Sequence, residues 1–282
     1  MYKGIDHLAL AVEDIEKAAA FYRDVFQLDL IMGLSYPADG VHTNLVLSLG
    51  PRNELEFMGP LGAKGFLASY LKKHGQCVHH LALEVTDIDL ETQKLEENGV
   101  RISGTTREKG MDFTFLHPLS TLKLGMQLMQ RNPRKPSHNP MIKGIDHVAV
   151  RVSNGEFGRD FFIDKLGAKK AGGERDATLD CSRDRFVIGE AHFHTLYDFR
   201  GSSPSKTAEG LHHVALNVEN LEETLRHLKK FQIHPMESWS NESFVFLPAE
   251  KMSGCLWKLI QAESFQNKTN VRKQWILSTD RI

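Results

Sequence analysis

Histidine takes the same place in four copies of one short pattern. Around His7, His80, His147 and His213 the chain reads Ile-Asp-His-Leu-Ala-Leu, His-His-Leu-Ala-Leu, Ile-Asp-His-Val-Ala-Val and His-His-Val-Ala-Leu. Each copy alternates with period two and so reads as a strand. One face carries Leu or Val. The other carries His, then Ala, then a small or polar residue, a combination that points at a cavity rather than a packed core. A second polar residue recurs inside an apolar run 45 to 49 residues after each histidine: Glu56, Gln127, His194 and Lys258. Two repeats related by a pseudo-twofold axis would present four polar groups to one cavity. In the first half these are His7, Glu56, His80 and Gln127. Two imidazoles, a carboxylate and an amide oxygen suit one divalent metal, Zn, Ni, Co, Mn or Fe(II). Glu54 shares the face of Glu56 and competes with it. In the second half the set is His147, His194, His213 and Lys258. It has no carboxylate and carries an ammonium where a ligand should be, so a metal-free, substrate-binding cavity is expected there. Lys258 would bind a substrate carboxylate or replace the metal's charge. The plainer alternatives are hydrogen-bonded histidines lining cavities without metal, and a Gln127 amide bonded to neighbouring backbone.

The elements that must position these groups follow from the repeat. Its copies start near residues 4, 77, 144 and 210, a spacing that suits one βαβββ module each. After the first strand, Ile15, Ala18, Ala19, Tyr22 and Phe26 fall at helical spacing behind an acidic start. Asp87–Asn98 reads as a helix stopped by Gly99, and Leu221–Phe231 as its counterpart in the last module. Gly62–Gly75 reads as a helix joining modules one and two. The shorter strands are expected at Leu28–Met32, His42–Leu49, Glu54–Met58, Val100–Ser103, Asp112–Leu116 and Leu122–Met129. The fold class is α+β: four βαβββ modules paired into two domains, each a curved mixed sheet around a cavity, with helices on the outer faces. Residues 1–131 form the first domain, with the metal site. Residues 132–141, rich in proline and basic residues, form a semi-rigid linker. Residues 142–262 form the second domain, and 263–282 a mostly polar tail. The join at 200–210 is Ser-rich and expected to be mobile. His79 and His212, one position off the cavity face, are expected on the helix-covered side. Glu84, on the face of His80 near the rim, is a minor acid–base candidate.

Composition excludes several classes. The chain has 282 residues, with 35 Lys plus Arg against 36 Asp plus Glu. That balance gives no field for nucleic acid or an anionic membrane. Cys77, Cys181 and Cys255 are widely spaced and form no CxxC, which suggests neither a disulfide framework nor a cysteine zinc site. The start reads directly as a strand without a signal-peptide core, and no apolar run is long enough to span a bilayer. A reduced, cytoplasmic protein acting on a small molecule is expected, with a homodimer left open.

Several phrases carry a resemblance: Gly-Ile-Asp-His at 4–7, Phe-Tyr-Arg-Asp-Val at 21–25, Leu-Lys-Lys-His-Gly at 71–75, Val-His-His-Leu-Ala-Leu-Glu-Val at 78–85 and Phe-Leu-His-Pro at 115–118. With them the chain resembles the vicinal oxygen chelate superfamily over residues 4–262. That superfamily includes glyoxalase I, methylmalonyl-CoA epimerases, extradiol dioxygenases and antibiotic-resistance binding proteins. The first half is most similar to the epimerases. The resemblance implies metal ligands at His7, Glu56, His80 and Gln127, in agreement with the repeat. The sequence departs from the family in two places. The last ligand is normally Glu and here is Gln127, and the catalytic Glu that epimerases carry before Pro37 is replaced by Leu34-Ser35-Tyr36. The expected function is a glyoxalase-type, metal-dependent isomerase or lyase acting on a small carbonyl or enolisable acid by chelation of vicinal oxygens. Glu56 or a metal-bound water is its only evident base. Two other classes stay open: an extradiol-type dioxygenase using the two histidines and Glu56, and a non-catalytic small-molecule-binding protein.

Overall fold

A computed structural model describes residues 1–36, 42–108, 110–134, 137–199 and 209–262. The tail at 263–282 and most of the 200–210 join lie outside these. The strands of the first half are β1 (Tyr2–Ala11), β2 (Leu30–Tyr36), β3 (His42–Ser48), β4 (Glu54–Pro60), β5 (Cys77–Val85), β6 (Ile102–Glu108), β7 (Met111–Leu116) and β8 (Met126–Arg131). They form one sheet in the order β2-β3-β4-β1-β5-β8-β7-β6. The second half supplies β9 (Ile142–Arg151), β10 (Lys169–Asp176), β11 (Cys181–Ile188), β12 (Ala191–Tyr197), β13 (Gly210–Val218), β14 (Phe244–Leu247) and β15 (Trp257–Gln261), ordered β10-β11-β12-β9-β13-β15-β14. The second order repeats the first without its last edge strand among the described residues. In both sheets the two histidine strands pair antiparallel at the centre and each is flanked by a parallel neighbour. These are α+β modules of the expected kind.

The helices are α1 (Ile15–Phe26), α2 (Phe66–His74), α3 (Ile88–Glu97), α4 (Gly155–Arg159) and α5 (Leu221–Lys229). Side-chain oxygens of Asp14, Asp87 and Asn220 accept the third helical N–H at the starts of α1, α3 and α5. This is the N-cap chemistry that the sequence offers at each site. α4 is only five residues long and continues as a π-helical segment, Asp160–Lys165, that buries Phe161 and Phe162. The run expected from Leu122 starts as a strand only at Met126. Leu122 and Lys123 have φ of 57° and 58°, which breaks an extended chain.

Helices α1, α3 and α5 lie on the sheet faces away from the cavities, as expected, and those faces are buried between the halves. Leu8, Leu10, Leu81 and Leu83 from the first sheet share a single apolar core with Val148, Val150, Val214 and Leu216 from the second, and the buried faces of α1, α3 and α5 lie in that core. The helix-bearing faces therefore back onto each other and the concave faces turn away. Buried Tyr22 of α1 ties the halves together. Its hydroxyl donates to the Met252 carbonyl at 2.8 Å and accepts from Trp257 Nε1 at 3.0 Å. Asn53 adds a bridge, donating to Ile5 O at 2.7 Å and accepting from Ile145 N at 2.9 Å. Among the helices of the described residues, α2 alone lies on a concave face, where Leu67 and Leu71 cover Ala9, Ala11 and Met58. The small alanines thus make room for a helix. No helix among the described residues is long and apolar enough to cross a membrane.

Tyr22→Phe removes a buried hydrogen bond to each of two polar groups in the other half. It is expected to lower stability by about 1–3 kcal/mol, read as a lower denaturant midpoint for a single transition. An unchanged midpoint would show that the two halves are not coupled through this residue.

Candidate metal centre

Four β-bulges build the two concave sites. Between β1 and β5 the register passes from Ile5↔Leu83 to His7↔Ala82, and from Ala9↔His80 to Leu10↔Val78. Asp6 and His79 are therefore extra residues. Between β9 and β13 the extra residues are Asp146 and His212. A bulge cancels one step of alternation, so the residue before each histidine lies beside it rather than on the opposite face. This corrects the expected placement of His79 and His212 on the helix-covered side, and His79 lines the first cavity. Asp6 Oδ1 accepts from His7 Nδ1 at 2.7 Å, and His79 Nδ1 meets His80 Nδ1 at 2.9 Å. The second half repeats both contacts, Asp146 to His147 at 2.6 Å and His212 to His213 at 2.8 Å. With each Nδ1 engaged, the Nε2 atoms are left to the cavity. Those of His7 and His80 are 3.1 Å apart, and those of His147 and His213 are 3.2 Å apart. Gly125, just before β8, fits closely against the first bulge: a Cβ there would sit 2.1 Å from the His79 carbonyl oxygen.

Glu56, on β4, completes the first cluster. Its Oε2 lies 3.4 Å from His7 Nε2 and 3.8 Å from His80 Nε2, and its Oε1 accepts from Asn44 Nδ2. One ligand atom each from His7, Glu56 and His80 lies within 4.8 Å of the others, and among the described residues this is the one such group. Gln127 lines the same cavity, and its buried Oε1 has no hydrogen-bond partner. An orphaned acceptor costs about 1–3 kcal/mol. Set beside two imidazoles and a carboxylate, it completes a donor set that fits a divalent cation. The competing carboxylate, Glu54, is instead drawn to Arg131 at 2.6 Å and Arg134 at 2.7 Å. The same two guanidiniums reach Asp6 Oδ2, at 3.1 and 2.8 Å. Arg134 comes from the segment expected to be a linker, so that segment is anchored against the site.

Charge in the cluster follows from these contacts. Burial alone would raise Asp6, but the His7 hydrogen bond and the charges of His7, Arg131 and Arg134 hold its carboxyl below the usual range. Burial would lower His7, but the Asp6 hydrogen bond and the charges of Glu56 and Asp6 raise it above 6.5. His80 goes well below its ordinary value through burial and the neighbouring His7 and His79. Burial raises Glu56, against the opposing pull of His7 and Asn44. The cavity has a volume of about 850 Å³, and its walls include Phe66, Tyr70, Phe113, Phe115 and Met58. Sequence reasoning did not assign Asp6, Asn44, His79, Arg131 or Arg134 to the site. The recurrence of Asp before His7 and His147 was the signal available for Asp6.

The second set also converges. The His194 ring stacks on His147 with centroids 3.8 Å apart, and the Lys258 ammonium and Arg183 lower both imidazoles after burial.

The sequence matches the Glyoxalase/Bleomycin resistance protein/Dioxygenase superfamily twice, over residues 6–115 and 144–238, and the chain belongs to this superfamily. It is 34% identical to the mitochondrial methylmalonyl-CoA epimerase of Bos taurus over 118 residues, 40% of this chain and about two thirds (66%) of the bovine protein's length. It is also 34% identical to an ethylmalonyl-CoA/methylmalonyl-CoA epimerase of Cereibacter sphaeroides over 119 residues, 40% of this chain and 87% of that one. A mutant 4-hydroxymandelate synthase from Streptomyces coelicolor superposes over 96% of both chains with a TM-score of 0.73 at 16% identity, which shows a shared fold.

Because the Asp6 hydrogen bond and the charges of Glu56 and Asp6 raise the His7 pKa above its ordinary value, a metal must displace a proton that the imidazole holds more firmly than usual. Divalent-metal affinity is expected to rise with pH until His7 is deprotonated, with proton release on binding seen by calorimetry in two buffers. Asp6→Asn should weaken affinity about 10–100-fold by releasing the His7 ring, measured by competition with a chromophoric chelator. An affinity unchanged by this substitution would deny Asp6 its orienting role.

Proposed function

We propose that the first cavity is the centre of a metal-dependent isomerase or lyase acting on a small carbonyl or enolisable acid with vicinal oxygens. Residues 1–131 are the unit that holds this site, 132–141 the connector and 142–262 a second, metal-free unit. The observation that carries the reading is the convergence of His7, His80 and Glu56 beside the orphaned Gln127 oxygen. A divalent metal bound by these residues supplies Lewis-acid polarisation of two neighbouring substrate oxygens. Asp6 and His79 hold the two imidazoles with Nε2 inward. A Glu56 displaced from the metal, or a metal-bound water, would be the base; Glu56 would take and return a proton at Oε2 while Asn44 steadies Oε1, and burial raises its pKa. The apolar walls keep bulk water from the reacting carbon.

The epimerase relatives favour an enolisable acid. Epimerisation needs a proton removed from one face and returned on the other, and the two positions where the family carries its acid–base pair hold Gln127 and the carboxylate-free Leu34-Ser35-Tyr36. One carboxylate supports proton transfer on one face, which suits isomerisation or elimination. A second reading, an extradiol-type dioxygenase, is favoured by the same two histidines and one carboxylate, a set that suits Fe(II) with open positions. A third, a binding protein without turnover, follows from the missing second base.

Metal analysis of protein purified without a His-tag or chelator is expected to give one divalent ion per chain. His80→Ala or Glu56→Ala should lose it, and Gln127→Ala should weaken it less, since a neutral amide adds no charge. Two ions per chain, or retention in His7→Ala/His80→Ala, would place the site elsewhere. Turnover is expected to survive anaerobic conditions and to be supported by several divalent metals. Oxygen uptake with a ring-cleaved product would favour the dioxygenase instead. Ligand affinity that survives Glu56→Gln, with no turnover in either form, would favour the binding protein.

A further inference from the structure

The second concave site repeats the first in its bulges and imidazoles but differs in charge. Lys258 on β15 stands at the position of Gln127, and His194 on β12 at that of Glu56. Lys258 Nζ lies 3.9 Å from the centre of the Phe244 ring and 5.4 Å from that of Phe246. Among the described residues no carboxylate lies within ion-pair distance of it. The acids nearest the site are already engaged. Asp146 is taken by His147 and Asn217, at 2.6 and 3.1 Å. Asp176 accepts from Arg183 at 3.0 Å and from the Leu179 amide at 3.0 Å. The His194 Nδ1 is buried without a partner. His147, His213, His194 and Lys258 are 3, 2, 9 and 6% exposed, against 5, 3 and 4% for His7, His80 and Gln127. The second cluster is thus as deeply buried as its counterparts in the first half. Around it stand Phe199, Trp239, Phe244 and Phe246.

We propose that this face is a binding site for a small carboxylate with a planar apolar body, held by the Lys258 ammonium and the His194 imidazole. An ammonium over aromatic faces gains some cation–π stabilisation. A buried ammonium that Asp176 and Asp146 reach only from beyond ion-pair distance still costs free energy, which an anionic ligand would relieve. Burial accordingly presses the Lys258 ammonium toward its neutral form. The same cation repels a metal. Arg183 and Arg185 share the face of His194 and add to its positive field, so the cluster favours an anion. The ring walls match a flat apolar group. This assignment is independent of the metal reading of the first cavity.

The test is calorimetric titration of the full chain with benzoate, with benzamide as its uncharged counterpart and inorganic phosphate as an anion without an apolar body. Benzoate is expected to bind one per chain. Lys258→Met should cost about tenfold or more in affinity, equivalent to at least about 1.4 kcal/mol, and His194→Ala a smaller factor. Glu56→Gln in the first cavity should leave the affinity unchanged. Benzamide and phosphate should bind at least about tenfold more weakly. The proposal is overturned if benzoate does not bind, if benzamide or phosphate matches it, or if its affinity ignores Lys258→Met but falls with Glu56→Gln. Should Lys258→Met not fold, reductive methylation of the unaltered chain decides. Benzoate should protect Lys258, read by peptide mass, and equal labelling with and without it overturns the site.

Discussion

The concave faces depend on the hydrogen bond that the residue before each strand histidine makes to Nδ1. An imidazole with a free Nδ1 can rotate or switch tautomer. One whose Nδ1 is taken presents Nε2 in a fixed direction. Here the bond is possible only because a bulge places Asp6, His79, Asp146 and His212 beside the rings they hold. The outcome is the same pair of facing Nε2 atoms in both halves, 3.1 and 3.2 Å apart. At that distance one imidazole can donate its N–H to the other, and the same pair of nitrogens could hold a metal. What the third and fourth groups are then decides which chemistry the pair serves.

That choice separates the halves. In the first, Glu56 and Gln127 add one negative charge and one neutral oxygen. The guanidiniums of Arg131 and Arg134 bind Asp6 and Glu54 without facing the ligand atoms of the histidines. A buried network of four charges is costly to desolvate and is retained only where its geometry is well met. Here it keeps Asp6 ionised and fixed behind His7. In the second half Asp146 has Asn217 in place of the arginines, and the cavity gains Lys258 where a ligand would be. The same scaffold thus carries a carboxylate among the imidazoles on one face and an ammonium among them on the other.

The back-to-back arrangement makes these sites independent of each other's ligands. Both convex faces are spent on one shared core, with Tyr22, Trp257 and Asn53 fixing the contact. The concave faces open in separate directions, and α2 closes part of the first.

Much of the site was legible in the sequence because it is written as a repeat. His7, His80, Glu56 and Gln127, and their counterparts His147, His213, His194 and Lys258, follow from period-two alternation and near-constant spacing, and the structure brings each set together. The α+β class follows from the repeated strand pattern and the helical spacing behind it, and the end of α3 before Gly99 from that residue's left-handed backbone. The bulges were not legible, since a single extra residue in a strand is defined only by its partner strand. With them went the true side of His79 and His212 and the role of Asp6. The arginines were hidden for a related reason: Arg134 lies 128 residues from Asp6 along the chain, in a segment whose composition resembles a solvated linker. The partner of the helix layer was not legible, because amphipathic patterning shows that a face is buried but not what buries it. Only the packing of one half on the other decides that.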